Sequence, residues 1–381
     1  MLDVGIIGIG NTGNQIAALA VERLNIPVVA INSSEKDLET ISSNIPKMII
    51  GDKEGLSQGA GKDRALAKKY LKDSVMGIIQ SDIVKDMLAK LDICFIISST
   101  GGGTGSGTAP LMAEIVQKTC PNLKVILVGV LPVDSEALSG HVNTLEYLNE
   151  LYKVLKDQTY MLYDNDKLAE LPSYQIMTKV NEEVVADIDV IRCTYNFTTK
   201  YDSIDDRDMT RLISYPGRIV VSRLEDFKEK DCDNITIEEM IIDNIKRNCH
   251  VEAQRDKSIM ASGIITNLSQ VLTEEFNNNI PKVREFVGTP IHSFNHISVN
   301  EDRKAANNVF FIMSGLKPVN DRINKISDRI DEIEEMQKTM IDENALNDVG
   351  LDELSSKIAD KTDTDTAEKV DIGDIFSNFG L

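Results

Sequence analysis

A glycine-rich turn between a strand and a helix constrains this chain more than any other feature. The stretch Ser99–Thr108 carries five glycines within positions 101 to 107 and several hydroxyl side chains. The apolar run Ile93–Ser98 precedes it, and the amphipathic run Ala109–Lys118 follows it. This arrangement directs backbone N–H groups at an anion, and glycine lets the backbone approach a phosphate because it has no Cβ. The segment predicts a phosphate-binding loop rather than a flexible linker, which is not usually flanked by a buried strand and a helix.

A second glycine turn follows the first predicted strand, Leu2–Ile7. Residues 8 to 13 read G-x-G-x-x-G and lead into a predicted helix, Asn14–Leu24, which is the dinucleotide-binding pattern. A dinucleotide-binding protein needs an acid after the next strand, Val28–Ile31, to hold a ribose, and Asn32 stands there instead. An NAD-dependent oxidoreductase is therefore the alternative from a different functional class.

Residues 101 to 107, Gly-Gly-Gly-Thr-Gly-Ser-Gly, resemble the signature of the tubulin/FtsZ superfamily of GTPases. The segment is unlike a Walker A loop, because no Gly-Lys-Ser or Gly-Lys-Thr closes it. The resemblance implies a GTPase that binds GTP or GDP, with Mg²⁺ accompanying GTP, and that polymerises head to tail. The nucleotide-binding residues it implies are Gly10, Asn11, Gly13, Asn14, Asn32, Gly59, Ala60, Gly61, Gly101, Gly102, Gly103, Thr104, Gly105, Ser106, Glu136, Asn165 and Asn181.

Three of these segments are assigned to the phosphates by the resemblance. The first glycine turn and the signature contact phosphate, Asn32 lies close by, and the loop Gly59–Gly61 senses the γ-phosphate. Lys62 and Arg64 follow that loop and offer positive charge, which stabilises phosphate oxygens. The alternative for this segment is an ordinary first turn of a solvent-exposed helix.

The remaining residues are assigned to the ribose and the base. Glu136 follows the strand Lys124–Leu131 and, by the resemblance, lies near the ribose. Asn165 and Asn181 are expected beside the guanine, whose edge a side-chain amide can read because it both donates and accepts hydrogen bonds. The superfamily's stacking aromatic is missing from the helix of Asn181, so stacking falls to Met177 or Tyr174 or is absent.

Two acids in the stretch Asp202–Asp208 are the predicted catalytic residues. Asp205 and Asp208 resemble the acids of the superfamily's catalytic loop, and Gly217 follows Asp205 by twelve residues as that loop requires. Two carboxylates three residues apart at a helix start share one face and can orient an attacking water. The resemblance implies that they complete the site of the neighbouring subunit. The alternative is an acidic first turn that the helix dipole favours.

The alternation of strands and helices up to residue 173 predicts an α/β fold, with a parallel sheet covered by helices on both faces. By length and order, the rest resembles a smaller α+β domain and a long C-terminal helix. The predicted divisions are a GTP-binding domain 1–173, a central helix 174–200, a catalytic loop and helix 201–217, an α+β domain 218–318, a C-terminal helix 319–341 and an acidic tail 342–381.

The net charge of −20 argues against direct binding to nucleic acid. Half of this excess of negative charge lies from Val319 onward, where there are 17 acidic residues and 7 basic residues. No apolar run is long enough to cross a membrane, and we expect no leader peptide before the first strand. We expect a cytoplasmic protein with reduced thiols, since its cysteines lack disulfide or metal spacing. These are Cys94, Cys120, Cys193, Cys232 and Cys249.

The acidic helix and the polar tail resemble the plasmid and phage branch of the superfamily, TubZ and PhuZ. That branch implies dynamic filaments that move or position DNA through a DNA-binding adaptor protein. The spaced apolar residues within 370–381 are either the docking peptide for such an adaptor or hydrophobic residues without a binding role. A divergent FtsZ-like cell-division GTPase is the alternative within the superfamily.

Overall fold

We describe the protein from a computed structural model. It covers residues 1–51, 58–153, 155–192, 199, 203–251, 259–300, 305–318 and 320–343, with side chains up to residue 336. Three predicted segments lie partly outside the described residues: the end of the central helix with Cys193, the start of the catalytic loop at 201–202, and the tail beyond residue 343.

The first half of the chain alternates strands and helices, as its hydrophobic pattern predicts. Its elements are β1 (Val4–Ile9), α1 (Gly10–Leu24), β2 (Val28–Asn32), α2 (Glu35–Glu39), β3 (Lys47–Ile49), α3 (Arg64–Gln80), α4 (Asp82–Leu88), β4 (Ile93–Ser99), α5 (Thr104–Thr119), β5 (Lys124–Leu131), α6 (Leu138–Lys153) and β6 (Thr159–Asp164).

A 3-10 helix (Asn165–Leu168) and the long helix α7 (Ser173–Ile191) connect the two halves. The second half contains more strand per helix. Its elements are α8 (Asp206–Leu212), β7 (Gly217–Phe227), a 3-10 helix (Glu229–Cys232), α9 (Ile237–Arg247), β8 (Ala261–Ser269), α10 (Gln270–Val287), β9 (His292–Asn300), β10 (Asn307–Leu316) and α11 (Asn320–Glu343).

All ten of these strands form one sheet in the order β3-β2-β1-β4-β5-β6-β7-β10-β8-β9. The strands from β3 to β6 are parallel, and β5 is buried along almost its whole length, as expected for a parallel strand covered on both faces. Strand β7 joins β6 in parallel through two residue pairs, and β10 is antiparallel to both β7 and β8. The predicted α/β class, with a parallel half followed by an α+β half, is confirmed.

Two hydrophobic cores stabilise the sheet. One packs α1 and α7 against the parallel strands and continues to Ile265 and Ile312 in the second half. The other lies between α9, α10 and the antiparallel strands. Residues Met1–Ile323 form one compact unit and Asn324 begins a second, so the domain boundaries predicted within the first unit stay a prediction.

Several helix boundaries differ from the sequence-based prediction for local reasons. The sequence predicts one long helical stretch that opens with the segment from Gln58 and runs to Leu91. The structure has two helices there, because Ser81 has an extended backbone and its hydroxyl caps α4 by accepting from Val84 N–H. Helix α5 begins at Thr104 rather than Ala109, so part of the glycine-rich signature is helical. The sequence predicts a helix from Leu268 to Phe276. Helix α10 instead continues past Asn277–Asn279 to Val287, because Val283 and Val287 are buried in the second core.

Candidate functional site

The two glycine turns meet at the carboxyl ends of the neighbouring strands β1 and β4. Gly10 has a φ of +73°, and a Cβ on it would lie 3.2 Å from the backbone nitrogen of Gly105. A Cβ on Gly105 would in turn lie 3.1 Å from the carbonyl oxygen of Ile9. Side chains at these positions would separate the turns, so glycine at both positions lets the two phosphate-binding segments form one surface.

The third predicted phosphate segment, the loop Gly59–Gly61, packs on the same surface. A Cβ on Gly103 would lie 2.7 Å from Lys62 Cα, so the residue that follows the loop contacts the signature directly. The N–H of Gly59 donates to Ser33 O at 3.0 Å, and the Ser33 hydroxyl bonds Thr104 at 2.6 Å. The structure therefore brings together the three segments that the sequence assigned to the phosphates.

Asn143 holds these loops together, although it is not among the residues predicted from the sequence. Its Nδ2 group donates to the carbonyl oxygen of Lys62 at 3.0 Å and to those of Gly101 and Gly102 at 3.2 Å. Asn143 is buried within α6, and the next residue, Thr144, bonds the Thr100 hydroxyl at 3.0 Å. A polar Asn-Thr pair inside an amphipathic helix was the available signal, but it does not reveal its partners.

Two asparagines assigned to the nucleotide have structural partners here. Both polar groups of the Asn14 amide bond the backbone of Ile31, at 3.1 and 3.2 Å, and tie α1 to β2. Asn32 accepts from Ser33 N–H at 2.8 Å and donates to Asp37 at 3.2 Å. The exposed Asn11 accepts from the side chain of Gln15. Nucleotide contacts by these side chains stay a prediction.

The two cations that follow the third loop differ in environment. The Arg64 guanidinium is buried and donates to Glu146 at 2.7 Å, to Glu150 at 2.8 Å and to Ser106 O at 2.9 Å. The structure thus gives Arg64 a packing role between α3, α5 and α6 in place of the phosphate contact expected from the sequence. Lys62 Nζ instead lies 3.8 Å from Glu136, and both side chains are partly exposed.

Asn165 is the best-defined candidate contact for the base. It begins the 3-10 helix after β6, and its Oδ1 is buried without a hydrogen-bond partner among the described residues. A buried acceptor without a donor is costly, and a ligand N–H group can satisfy it. The guanine edge carries such donors, so this residue fits the predicted nucleotide.

Asn181 lies on the side of α7 that faces α1. It lines a cleft of about 720 Å³ together with Gln15 and Thr178. Tyr174 and Met177, the candidates for base stacking, lie one to two turns earlier and are 69% and 40% exposed. The stacking role and the guanine contact of Asn181 stay predictions.

The predicted catalytic acids lie at the opposite edge of the sheet. Asp205 caps α8 by accepting from Asp208 N–H at 2.8 Å, and Asp206 pairs with the N-terminal amine of Met1 at 2.9 Å. Met1 precedes β1, whereas Gly10 follows it, and β1 has six residues, a length of about 20 Å. Asp205 and Asp208 are therefore too distant to act on a nucleotide bound at their own subunit's glycine turns.

Within the described ranges, no cluster of three or more His, Cys, Asp and Glu side chains is arranged to hold a metal ion. Among the same residues, no helix has the length and apolar character needed to cross a bilayer.

The first half of the chain matches known proteins. Residues 3–173 match the Tubulin/FtsZ family, GTPase domain. The chain is similar to the tubulin-like protein CetZ of Pyrococcus abyssi (29% identity, 43% of this chain and 45% of that one). It is also similar to cell division protein FtsZ 1 of Pyrococcus furiosus (31% identity, 48% and 46%).

The match spans about half the length of these two relatives. The fold extends further, since a crystal structure of a GTPγS-form protofilament of Bacillus thuringiensis serovar israelensis TubZ superposes with a TM-score of 0.73 at 18% identity, over 90% of this chain and 94% of that one. Residues 3–173 therefore match the GTPase domain of the tubulin/FtsZ family, and the fold of the chain is similar to that of the TubZ subunit.

Proposed function

We propose that this protein binds and hydrolyses GTP and polymerises head to tail, with Asp205 and Asp208 of one subunit completing the nucleotide site of the next. The observation that carries the proposal is the separation of the two half-sites. The glycine turns lie at the carboxyl edge of the parallel strands, and the acids lie at the amino edge. Stacking identical subunits along the strand direction brings one edge against the other.

Each half-site has a defined task in this reaction. The glycine turns and the N-terminus of α5 direct backbone N–H groups at the phosphates, which stabilises their negative charge. The carboxylates at the start of α8 orient the attacking water in line with the γ-phosphate. Asp205 has a second role, because its side chain also caps the helix that carries Asp208.

A head-to-tail contact uses two different surfaces and does not close, so it produces a filament. The TubZ protofilament with a similar fold supports assembly of this kind. Hydrolysis then requires assembly, and it destabilises the subunit contact on which it depends. Such a filament grows and shrinks, and this turnover supplies the movement.

We propose plasmid or phage DNA as the cargo. A net charge of −20 disfavours direct contact with DNA, so a DNA-binding adaptor protein connects the filament to its cargo, and the acidic C-terminal tail is its docking segment. The similarity to FtsZ 1 favours one second candidate, a cell-division filament. Co-sedimentation of filaments with DNA, with and without host protein extract, separates the two.

The shared site predicts that GTP hydrolysis per molecule rises steeply with protein concentration. Phosphate release should approach zero below the assembly threshold, because an isolated subunit lacks the acids at its own nucleotide. Asp208→Asn and Asp205→Asn should bind GTP and form filaments but release phosphate at least 100-fold more slowly. The measurements are phosphate release and electron microscopy over a dilution series.

Asp206→Asn is the matched control, because Asp206 lies on the same helix and bonds the N-terminus. It should hydrolyse GTP like the wild type. Comparing Asp205→Ala with Asp205→Asn separates the two roles of Asp205. Asp205→Ala also removes the helix cap, which costs about 1 kcal/mol of folding stability. A rate per molecule that stays constant on dilution would contradict the shared site.

A further inference from the structure

Arg322 connects the first turn of α11 to the nucleotide edge of the sheet. It is 7% exposed, although it lies on a helix that is otherwise rich in charged residues. Its guanidinium donates to Asp134 Oδ1 at 2.6 Å, to Pro132 O at 3.0 Å and to Asp164 Oδ1 at 3.1 Å. Its Nε also lies 2.8 Å from Asp164 Oδ2. One buried arginine thus bridges the carboxyl ends of β5 and β6.

The two bridged carboxylates are part of a closed chain of hydrogen bonds. Asp164 accepts from Asp166 N–H at 3.2 Å, and Asp166 Oδ1 accepts from Asp134 N–H at 2.9 Å. Asn165 lies between Asp164 and Asp166, and Glu136 follows Asp134 by two residues. The candidate contacts for the base and the ribose are therefore both held by loops that Arg322 joins.

The charge of Arg322 is essential to this arrangement. Burial acts to lower the pKa of Arg322, but the attraction of Asp164 and Asp134 outweighs it and raises the pKa. Burial also raises the pKa of Asp164, which Arg322 opposes. Without the arginine, a buried carboxylate would lose its countercharge, and breaking such a pair is strongly unfavourable. The loops would then move apart or Asp164 would take up a proton.

We propose that Arg322 is a positioning residue for the nucleotide: it holds the β5–α6 loop and the Asp164–Asp166 turn in the geometry that binds ribose and base. Guanine affinity and selectivity then depend on the first turn of α11, which lies far outside the segment 3–173 that matches the GTPase domain. This inference rests on the proposed GTP-binding function and adds a determinant of base selectivity to it.

The test is the affinity of the full-length protein for a fluorescent GDP derivative, below the assembly threshold, with unlabelled GDP and ADP as competitors. Arg322→Met should weaken GDP binding at least tenfold and reduce the preference for GDP over ADP. Arg322→Lys should lie between Arg322→Met and the wild type, because one ammonium group keeps the charge but cannot bridge both carboxylates as a guanidinium does. A purely structural role would not change base preference.

Arg329→Met is the matched control, since Arg329 lies on the same helix and pairs with Glu332 at 2.9 Å. It should bind like the wild type. If the wild type does not bind GDP, the proposed function fails. If the wild type binds and Arg322→Met has the same affinity and selectivity, the inference fails. If Arg322→Met does not fold, the test uses Arg322→Lys. Wild-type affinity and selectivity in Arg322→Lys would then overturn the inference.

Discussion

At the scale of single residues, buried side-chain amides and one buried arginine hold the backbone of this site in place. Asn143 and Asn14 are both buried. The Asn143 amide bonds carbonyl groups of the signature, and the Asn14 amide bonds the backbone of Ile31 in strand β2. Arg64 likewise bonds the backbone at Ser106 O. Backbone N–H groups bind phosphate only if the loops that carry them stay in place. These buried polar residues therefore hold in place the backbone that is predicted to bind the phosphates.

We expect Asn143→Ala to weaken both folding and nucleotide binding. The substitution removes the donor shared by three carbonyl oxygens, and unpaired buried polar groups cost about 1–3 kcal/mol. Chemical denaturation and GDP affinity measure the two effects. Asn149→Ala is the control, because Asn149 is exposed on the same helix. Equal behaviour of the two variants would show that Asn143 does not hold the loops.

At the scale of elements, the contact of α1 with β4 sets how the first glycine turn meets the signature. A Cβ on Gly13 would lie 2.0 Å from the carbonyl oxygen of Ile97, which is a backbone atom of β4. Gly13 is therefore needed above all for the close packing of α1 against β4. Its predicted role at the phosphates follows from the position that this packing gives to the start of α1.

We expect Gly13→Ala to lower the free energy of unfolding by about 3 kcal/mol or more, since helix and strand must separate. Gly77→Ala is the matched comparison, because nothing lies within 4 Å of the Cβ it would add in the interior of α3. That substitution should stabilise the protein by about 0.5–1 kcal/mol. Denaturant titration of both variants checks the opposite signs, and a loss of similar size in both would contradict the packing argument.

At the scale of the whole molecule, the sheet has two chemically different edges. Its carboxyl edge carries the glycine turns, and its amino edge carries the acids of α8. Lys124 lies at the amino edge, at the start of β5. Its ammonium group donates to Thr159 Oγ1 at 2.6 Å and lies 3.4 Å from Ser214 O, just after α8. A lysine thus supports the end of the helix that carries the proposed catalytic acids.

Burial lowers the pKa of Lys124 from 10.5 to about 8. The unfolded chain therefore binds more protons than the folded protein between these values, so folding stability should rise with pH from about 8 to about 10.5. Lys124→Met should remove this part of the rise, and Lys118→Met, at an exposed position, should keep it. Denaturation curves at pH 7.5 to 10 test this. Parallel profiles of wild type and Lys124→Met would contradict it.

The order of elements and the phosphate loop could be predicted because their signals are local. Strand β5 matches its prediction, Lys124–Leu131, residue for residue, since a continuous apolar run followed by proline marks a buried strand and its end. The glycine signature constrains backbone geometry wherever it occurs. The break at Ser81 and the continuation of α10 were missed, because capping and core burial outweigh propensity there.

The sequence by itself determined that this chain is an α/β protein with two glycine-rich turns, predicted to bind an anion, and a pair of acids at a helix start. Only the tertiary structure decided which groups these features meet. Arg322 and Asp134 are 188 residues apart, and no local pattern of either predicts their contact. The placement of acids and glycine turns at opposite edges likewise depends on how the strands pair. Periodicity and stereochemistry act over a few residues, whereas long-range pairing exists only after folding.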